Sequence, residues 1–272
     1  MMHLVTTARE AQANPTYSKA LKELLYQLAD DDFIMAFRGS EWLGLAPHIE
    51  EDVAYSSITQ NTMGHAVMYY TLLEGLGEGD ADVIAHERLP GERRNAVYFE
   101  RQNGDGAYWE EPYYDWALAV VRNVLYETFK KAKLEAVARS TYKPLALAAE
   151  KVLLEQSYHL AHWSLWLRQL QGATDEAKHR IHERMQEAWS CIGDVPLLGE
   201  EKQAMEQYGL IGSETDLAKT WKAAIHSIVA DIPGREWGLE EGNGRLGEHT
   251  GDLDQALVTF AEVYNSDRTA VW

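Results

Sequence analysis

Apolar residues recur at every third or fourth position along most of the chain, with charged and polar residues between them. This period places the apolar side chains on one face of an α-helix, whereas the alternation typical of a half-buried strand is scarce here. The segment 150–170 is apolar on nearly every side, a pattern typical of a helix inside a bundle. We therefore predict an all-α fold, with this segment in the bundle interior.

Prolines and capping residues, together with the apolar period, set the predicted ends of the helices. The core helices are expected at about 16–43, 50–75, 113–140 and 144–171, and extra helices at about 174–191, 213–231 and 252–264. We expect residues 1–15 to form a flexible tail and residues 16–272 to form a single domain. A chain of 272 residues is long enough to bury one sizeable core.

A long connection, residues 76–112, separates the second core helix from the third and is rich in glycine, charge and aromatic residues. Connections of this length are uncommon unless they are functional or cross the fold. Ferritin-like bundles need one such crossover between their two helical hairpins. The predicted architecture is therefore a ferritin-like four-helix bundle with a long crossover and additional C-terminal helices.

Composition excludes several classes of partner. The 25 Lys and Arg residues face 43 Asp and Glu residues, which gives a net charge of -18 and argues against nucleic acids and anionic membranes. No predominantly apolar, uncharged stretch reaches the roughly 20 residues of a membrane span, and no secretory signal is visible. Cys191 is the single cysteine, so an internal disulfide is excluded. We expect a soluble, cytoplasmic protein.

Carboxylates at core positions of the predicted helices are the candidate chemistry. A di-iron bundle takes one lone Glu from each of two helices and a Glu-x-x-His pair from each of the other two. Glu41 and Glu127 are placed as the lone carboxylates, and Glu155 as the first half of a pair. The position three residues after Glu155 holds Tyr158, where that pattern requires histidine.

The second core helix departs further from the di-iron pattern, because the matching positions hold Asn61 and Gly64. His65 and His159 stand one residue later than the pattern requires, and the i+4 position lies on the same helix face. They are therefore candidate compensating ligands. Asn61 is a neutral oxygen ligand, which leaves less negative charge than two irons need.

The alternative is a metal-free, hydrogen-bonded polar core, and we favour it because buried charges are stable once they are paired. It predicts that Glu155 pairs with a histidine across the bundle and that Glu41 pairs with Arg38 or another base. No catalytic residue and no metal are expected in this chain.

Several motifs resemble a known family, the structural, non-catalytic subunits of the bacterial phenylacetyl-CoA oxygenase (ring epoxidase). They are Leu28–Asp31, Arg38–Gly44, Pro47 with Glu50–Asp52, Gln102–Asp105, Glu155 with Tyr158, His159 and His162, and Gly244–Thr250. The similarity covers most of the chain. Asn103 and Gly106 depart from the family pattern, as does the segment 268–271, where the family has a closing Pro-Gly.

The resemblance implies a ferritin-like fold and a heteromeric complex. A homologous catalytic subunit would hold the di-iron centre, and a reductase component would supply electrons for epoxidation of phenylacetyl-CoA. This chain would carry a decayed metal site, contain no cofactor and support the catalytic subunit. A homodimer is a second candidate assembly.

Two other functions remain open at the level of sequence. The chain could be a divergent di-iron carboxylate oxygenase that acts by itself on an aromatic acyl-CoA, or a stand-alone helical binding protein. For a partner surface we predict the apolar residues of the first two core helices, namely Trp42, Met68, Tyr69 and Tyr70.

Overall fold

The computed structural model describes residues 3–106, 111–229, 232–234 and 236–270. In chain order the α-helices are α1 (Ala8–Gln12), α2 (Pro15–Ser40), α3 (Ile49–Gly75), α4 (Ala81–His86), α5 (Val97–Glu100), α6 (Trp116–Val137), α7 (Lys143–Gly172), α8 (Asp175–Cys191), α9 (Lys202–Gln207), α10 (Glu214–Ile228), α11 (Gly251–Phe260) and α12 (Glu262–Ser266). Short 3-10 turns lie at Pro90–Glu92 and Gly244–Leu246. The predicted all-α class is confirmed.

Two helical hairpins form the centre of the molecule. The helices α2 and α3 pack along each other, as do α6 and α7, and the two hairpins meet where α3 packs against α7. The helices α8 and α10 cover α6, and α9 covers α2. The long connection between the hairpins carries α4, α5 and a small antiparallel ribbon of β1 (Gly104–Asp105) and β2 (Tyr113–Tyr114). No helix within the described residues has the length and apolar content that a membrane crossing requires.

Side-chain caps fix the helix starts close to the predicted positions. Asn14 accepts a hydrogen bond from the Tyr17 N–H at the start of α2, directly before the proline at its first position. Asp115, Thr174 and Ser213 cap α6, α8 and α10 in the same way. The last predicted helix is instead two helices, α11 and α12, which meet at Ala261.

The prediction of a flexible tail is wrong for residues 3–15. Thr7 and Glu10 form a reciprocal capping box that starts α1. Val5 is buried, donates its N–H to the Thr141 carbonyl and accepts from the Lys143 N–H. The start of the chain is therefore hydrogen-bonded to the loop before α7.

Three consecutive acids in the middle of α2 tie the surrounding loops to the bundle. Asp30, Asp31 and Asp32 are all buried. Asp30 binds the Arg88 guanidinium and accepts from the Arg94 N–H. Asp31 forms a bidentate pair with Arg245, at 2.8 and 2.9 Å, and accepts from the Ala96 N–H. The crossover and the C-terminal loop are thus held by carboxylates of one helix.

Apolar exposure differs from the sequence prediction in two places. The helix α7 is not buried on every side, since Leu154 and Tyr158 are 71% and 77% exposed. Trp42, Tyr69 and Tyr70, predicted to face a partner, are instead buried in the core. Apolarity in the sequence does not distinguish a side chain in the core from one on a surface that another protein covers.

Candidate functional site

A buried lysine lies where the two hairpins meet. Lys130, on α6, donates hydrogen bonds to Asp32 Oδ2 and to His65 Nδ1, both at 3.0 Å. It also lies 3.2 Å from the Tyr126 hydroxyl, which in turn donates to the second oxygen of Asp32. The side chains of Lys130, Asp32 and His65 are all almost fully buried. Three helices thus surround one ammonium group.

The lysine fixes the tautomer of His65. An ammonium can only donate, so His65 Nδ1 must accept and the ring proton lies on Nε2. Nε2 then donates to Glu155 Oε2 at 2.8 Å. Burial, reinforced by the charge of Lys130, lowers the pKa of His65 to about 2. The ring is therefore neutral, and its contact with Glu155 is a hydrogen bond rather than an ion pair.

Asp32 balances the ammonium. Burial raises the pKa of Asp32 above its ordinary value, although the charge of Lys130 and the hydrogen bond from Tyr126 oppose that shift. A hydrogen-bonded chain consequently runs from Asp32 through Lys130 and His65 to Glu155. The Glu155 side chain is 42% exposed, so the chain ends at the protein surface.

A second acid–imidazole pair lies nearby and is poorly satisfied. Glu127 is fully buried on α6, and neither carboxyl oxygen has a hydrogen-bond partner among the described residues. His159 Nδ1 lies 3.4 Å from Glu127 Oε1, and its Nε2 lies 3.5 Å from the Asn61 amide. The rings of His159 and His65 are 6.1 Å apart, so the two clusters are neighbours.

The structure brings together five of the predicted site residues, namely Asn61, His65, Glu127, Glu155 and His159. His65 and His159 point inward, and the pairing of Glu155 with a histidine across the bundle is as predicted. Gly64 and Tyr158 were assigned from the sequence as the core positions of the missing histidines, and this assignment is wrong, because both lie on the exposed sides of their helices.

Glu41 was assigned to the bundle interior, and this assignment is wrong. It is the C-cap residue of α2, nine residues after Asp32, and a helix rises about 1.5 Å per residue, so about 13 Å separates them along the axis. Glu41 pairs with Arg38 at 3.1 Å, as predicted, and accepts from the Asn103 amide at 2.8 Å. It lines a surface cavity of about 340 Å³. Asp32, rather than Glu41, is the α2 carboxylate that lies in the bundle centre.

The arrangement does not fit a di-iron centre. Such a centre needs four carboxylates and two imidazoles around two cations, and the described residues contain no group of three or more potential metal ligands. The ammonium of Lys130 has three donors and no lone pair, so it cannot act as a ligand. It satisfies the Asp32 and His65 atoms that would otherwise be free to bind a cation.

Comparison with known proteins decides the family. A family model described as phenylacetic acid catabolic protein matches residues 2–272. The chain belongs to this family. It is also similar to the C-type subunit of the 1,2-phenylacetyl-CoA epoxidase of Escherichia coli (strain K12), with 25% identity over 237 residues, which cover 85% of this chain and 91% of that protein. The family resemblance seen in the sequence motifs is confirmed.

Three of the motifs that carried the family resemblance are structural ties outside the bundle centre. Asp31 binds Arg245 of the Gly244–Thr250 motif. His249 of the same motif contacts Glu100 at 2.8 Å, and Arg38 donates to the Glu100 carbonyl. In this chain these motifs thus anchor the crossover. The lysine in the bundle centre lies outside all of the motifs.

Proposed function

We propose that this chain is the structural, non-catalytic subunit of a multicomponent phenylacetyl-CoA epoxidase. In this proposal its bundle is ferritin-like, and it supports a homologous subunit that holds the di-iron centre and carries out ring epoxidation. A reductase component supplies the electrons, and the complex works in the cytoplasm. The observation that supports this role is the Lys130 ammonium, hydrogen-bonded between Asp32 and His65.

The Lys130 ammonium supplies the positive charge that a metal would otherwise supply in the bundle centre. A buried carboxylate is costly unless a positive charge compensates it, and Lys130 provides that charge within 3.0 Å of Asp32. The same positive charge raises the energy of any further cation placed between α2, α3 and α6. The cluster of Asp32, Lys130 and His65 is therefore complete without iron, and in this proposal the chain keeps the fold while the chemistry takes place in its partner.

Metal analysis of the purified chain tests the proposal. The chain is expressed alone and together with a homologous di-iron subunit in iron-supplemented medium, and iron is measured per polypeptide. We expect iron in proportion to the catalytic subunit and none that scales with this chain. Two irons per copy of this chain would overturn the proposal. Glu155→Gln should leave the activity of the assembled complex largely intact.

A second candidate, a divergent di-iron oxygenase acting by itself, is favoured by one observation. The carboxyl oxygens of Glu127 lack hydrogen-bond partners among the described residues and face His159. His159→Ala separates the two functions, because a structural subunit tolerates the change once the complex has assembled. Loss of epoxidation in an intact, correctly sized complex would favour the second candidate.

A further inference from the structure

A row of touching aromatic rings crosses the protein from the surface cavity beside α2 to the helix α7. Tyr114 of β2 lines that cavity. Its ring centroid lies 5.4 Å from the ring of Trp42, which lies 5.0 Å from Trp116, and Trp116 lies 5.1 Å from Trp166. All three contacts are edge-to-face and lie within the range of packed aromatic pairs. We call these four residues the aromatic row.

Contact between the rings allows the aromatic row to conduct an oxidation. Indole and phenol rings lose one electron more readily than most side chains, and electron transfer slows steeply as the distance between two rings grows. Rings in contact therefore pass a missing electron from one to the next. Trp42 is buried, whereas Tyr114 and Trp166, at the two ends of the row, are half-buried. The row thus links two places that solvent reaches.

The indole N–H groups along the row differ in their surroundings. Nε1 of Trp42 and Nε1 of Trp116 are buried and have no hydrogen-bond partner among the described residues. Nε1 of Trp166 instead donates to Glu51 Oε2 at 2.6 Å, and an indole nitrogen can only donate. Glu51 is 3% exposed. Within the described part of the chain, the last indole of the row is thus the one that faces a carboxylate.

This difference fixes where an oxidation comes to rest. An indole that has lost one electron becomes a cation whose N–H is strongly acidic. At Trp42 and Trp116 the proton has no acceptor among the described residues, so the positive charge stays buried, which is costly. At Trp166 the proton can move to Glu51, and the indole then carries no charge. The missing electron is therefore most stable at Trp166.

We propose that the aromatic row carries a one-electron oxidation from the cavity to Trp166, which holds it as a neutral tryptophanyl radical. The oxidant, of the class of oxygen-derived radicals, meets Tyr114 and is reduced by one electron. Successive transfers along the row draw that electron from Trp166, whose Nε1–H bond breaks as the proton binds Glu51 Oε2. A thiol or ascorbate then returns one electron, and Glu51 returns the proton. The chain thereby acts as a sink for stray oxidants, which goes beyond the structural role proposed above and does not depend on it.

A second pair of indoles in the same chain lacks the proton acceptor. The rings of Trp221 and Trp237 lie 4.6 Å apart. Nε1 of Trp221 donates to the Leu125 carbonyl and to the Thr128 hydroxyl, and neither group is a carboxylate. Nε1 of Trp237 has no partner among the described residues. This pair therefore has ring contact without a base, and it supplies a matched control.

A photo-oxidant attached beside the cavity tests the proposal with the full chain. Cys191 is buried, so Tyr113→Cys, at a position that is 71% exposed, provides an accessible thiol for a ruthenium polypyridyl label. Light and a soluble electron acceptor turn the label into a one-electron oxidant, whose formation and decay are followed by transient absorption. We expect a neutral tryptophanyl radical, identified by electron paramagnetic resonance and by its visible absorption. Decay of the oxidised label without this radical would overturn the proposal.

Substitutions at the end of the row locate the radical. In the labelled protein, Trp166→Phe should lose the neutral radical. Glu51→Gln keeps a hydrogen-bond acceptor but removes the base, so the radical should remain protonated. Trp237→Phe is the control and should leave the signal unchanged, since Trp237 is also half-buried but faces no carboxylate among the described residues. An undiminished neutral radical in Trp166→Phe or in Glu51→Gln would overturn the proposal.

A substitution in the middle of the row tests the path. Trp116→Phe fills most of the space but is not readily oxidised, so the yield of the radical at Trp166 should fall. Trp163→Phe is its control, because Trp163 contacts Trp116 at 5.8 Å and lies outside the aromatic row. Circular dichroism checks that both variants remain folded. Equal yields in the two variants would reject the path. These measurements need no iron, so their failure would leave the metal analysis of the proposed function unaffected.

Discussion

Two histidines with buried side chains, His65 in the bundle centre and His249 in a second cluster, differ in charge: His65 is neutral and His249 is positively charged. We use loop anchor for the cluster of Asp31, Arg245, Glu100 and His249, which holds the crossover and the C-terminal loop. In the loop anchor, His249 Nδ1 faces the Glu100 carboxylate at 2.8 Å and Nε2 faces the Arg93 carbonyl at 3.2 Å. Both nitrogens meet acceptors, so both carry protons.

In the bundle centre, His65 meets one donor and one acceptor, which requires the neutral ring. Burial opposes charge on both histidines. At His249 the hydrogen bond and the charge of Glu100 outweigh the effect of burial and raise the pKa. At His65 the charge of Lys130 adds to the effect of burial and lowers the pKa further. The two clusters therefore differ in their source of positive charge. The loop anchor contains the imidazolium of His249 and the guanidinium of Arg245, whereas the bundle centre contains the ammonium of Lys130.

The largest expected effect is in the loop anchor. Arg245→Met removes the bidentate partner of Asp31, which keeps the Ala96 N–H and Lys133 at 4.0 Å. A buried carboxylate deprived of its partner costs about 3–5 kcal/mol of unfolding free energy. Urea denaturation measures the loss. Arg268→Met, at an exposed position, should change stability by less than about 0.5 kcal/mol. Equal effects of the two substitutions would contradict the role of the anchor.

A smaller loss is expected when the lysine of the bundle centre is removed. Lys130→Met leaves Asp32 with the hydrogen bond from Tyr126, which should cost about 2–3 kcal/mol. Burial already raises the pKa of Asp32, and loss of the ammonium raises it further. The folded variant then binds a proton more readily than the unfolded chain, so the loss should shrink as the pH falls. Urea titrations at two pH values measure this. A loss that grows on acidification would contradict it.

The sequence predicted the helices well, because their apolar period and capping residues are local signals. It also placed Glu127, His65 and His159 in the bundle interior, whereas Glu155 lies at its edge with 42% of its side chain exposed. Lys130 was missed since lysine is usually a surface residue, although it lies three positions after Glu127 on the same apolar stripe of α6.

Asp32 was missed for a different reason. It belongs to the run Asp30, Asp31 and Asp32. A single sequence does not show that the carboxylates of three neighbouring residues point toward three different clusters of side chains. The error over Glu41 arose because α2 ends at Ser40, so this carboxylate lies beyond the regular helix. Helix ends are set by caps and tertiary contacts, which the apolar period does not report.

The neutral state of His65 should make the bundle centre sensitive to acid. Its pKa is about 2 when folded and near 6.5 when unfolded, so between these values the unfolded chain binds the extra proton. The free energy of unfolding therefore falls by up to about 1.4 kcal/mol per pH unit as the pH drops below about 6.5. His65→Gln keeps an acceptor for Lys130 and a donor for Glu155, and it should flatten this slope. An unchanged slope between pH 6.5 and 5 would show that His65 is not neutral in the folded protein.

The charged His249 should produce the opposite and smallest effect. Its pKa is raised in the folded protein, so its contribution to stability is fully present below the unfolded value near 6.5 and is lost as the pH rises through the folded value. His249→Gln keeps a donor to Glu100 but cannot hold the proton, so it should destabilise the protein more at pH 6 than at pH 9. Urea denaturation at these two pH values, with His65→Gln as the comparison, gives differences of opposite sign. The same sign for both substitutions would mean that the two clusters do not differ in the charge of their histidines.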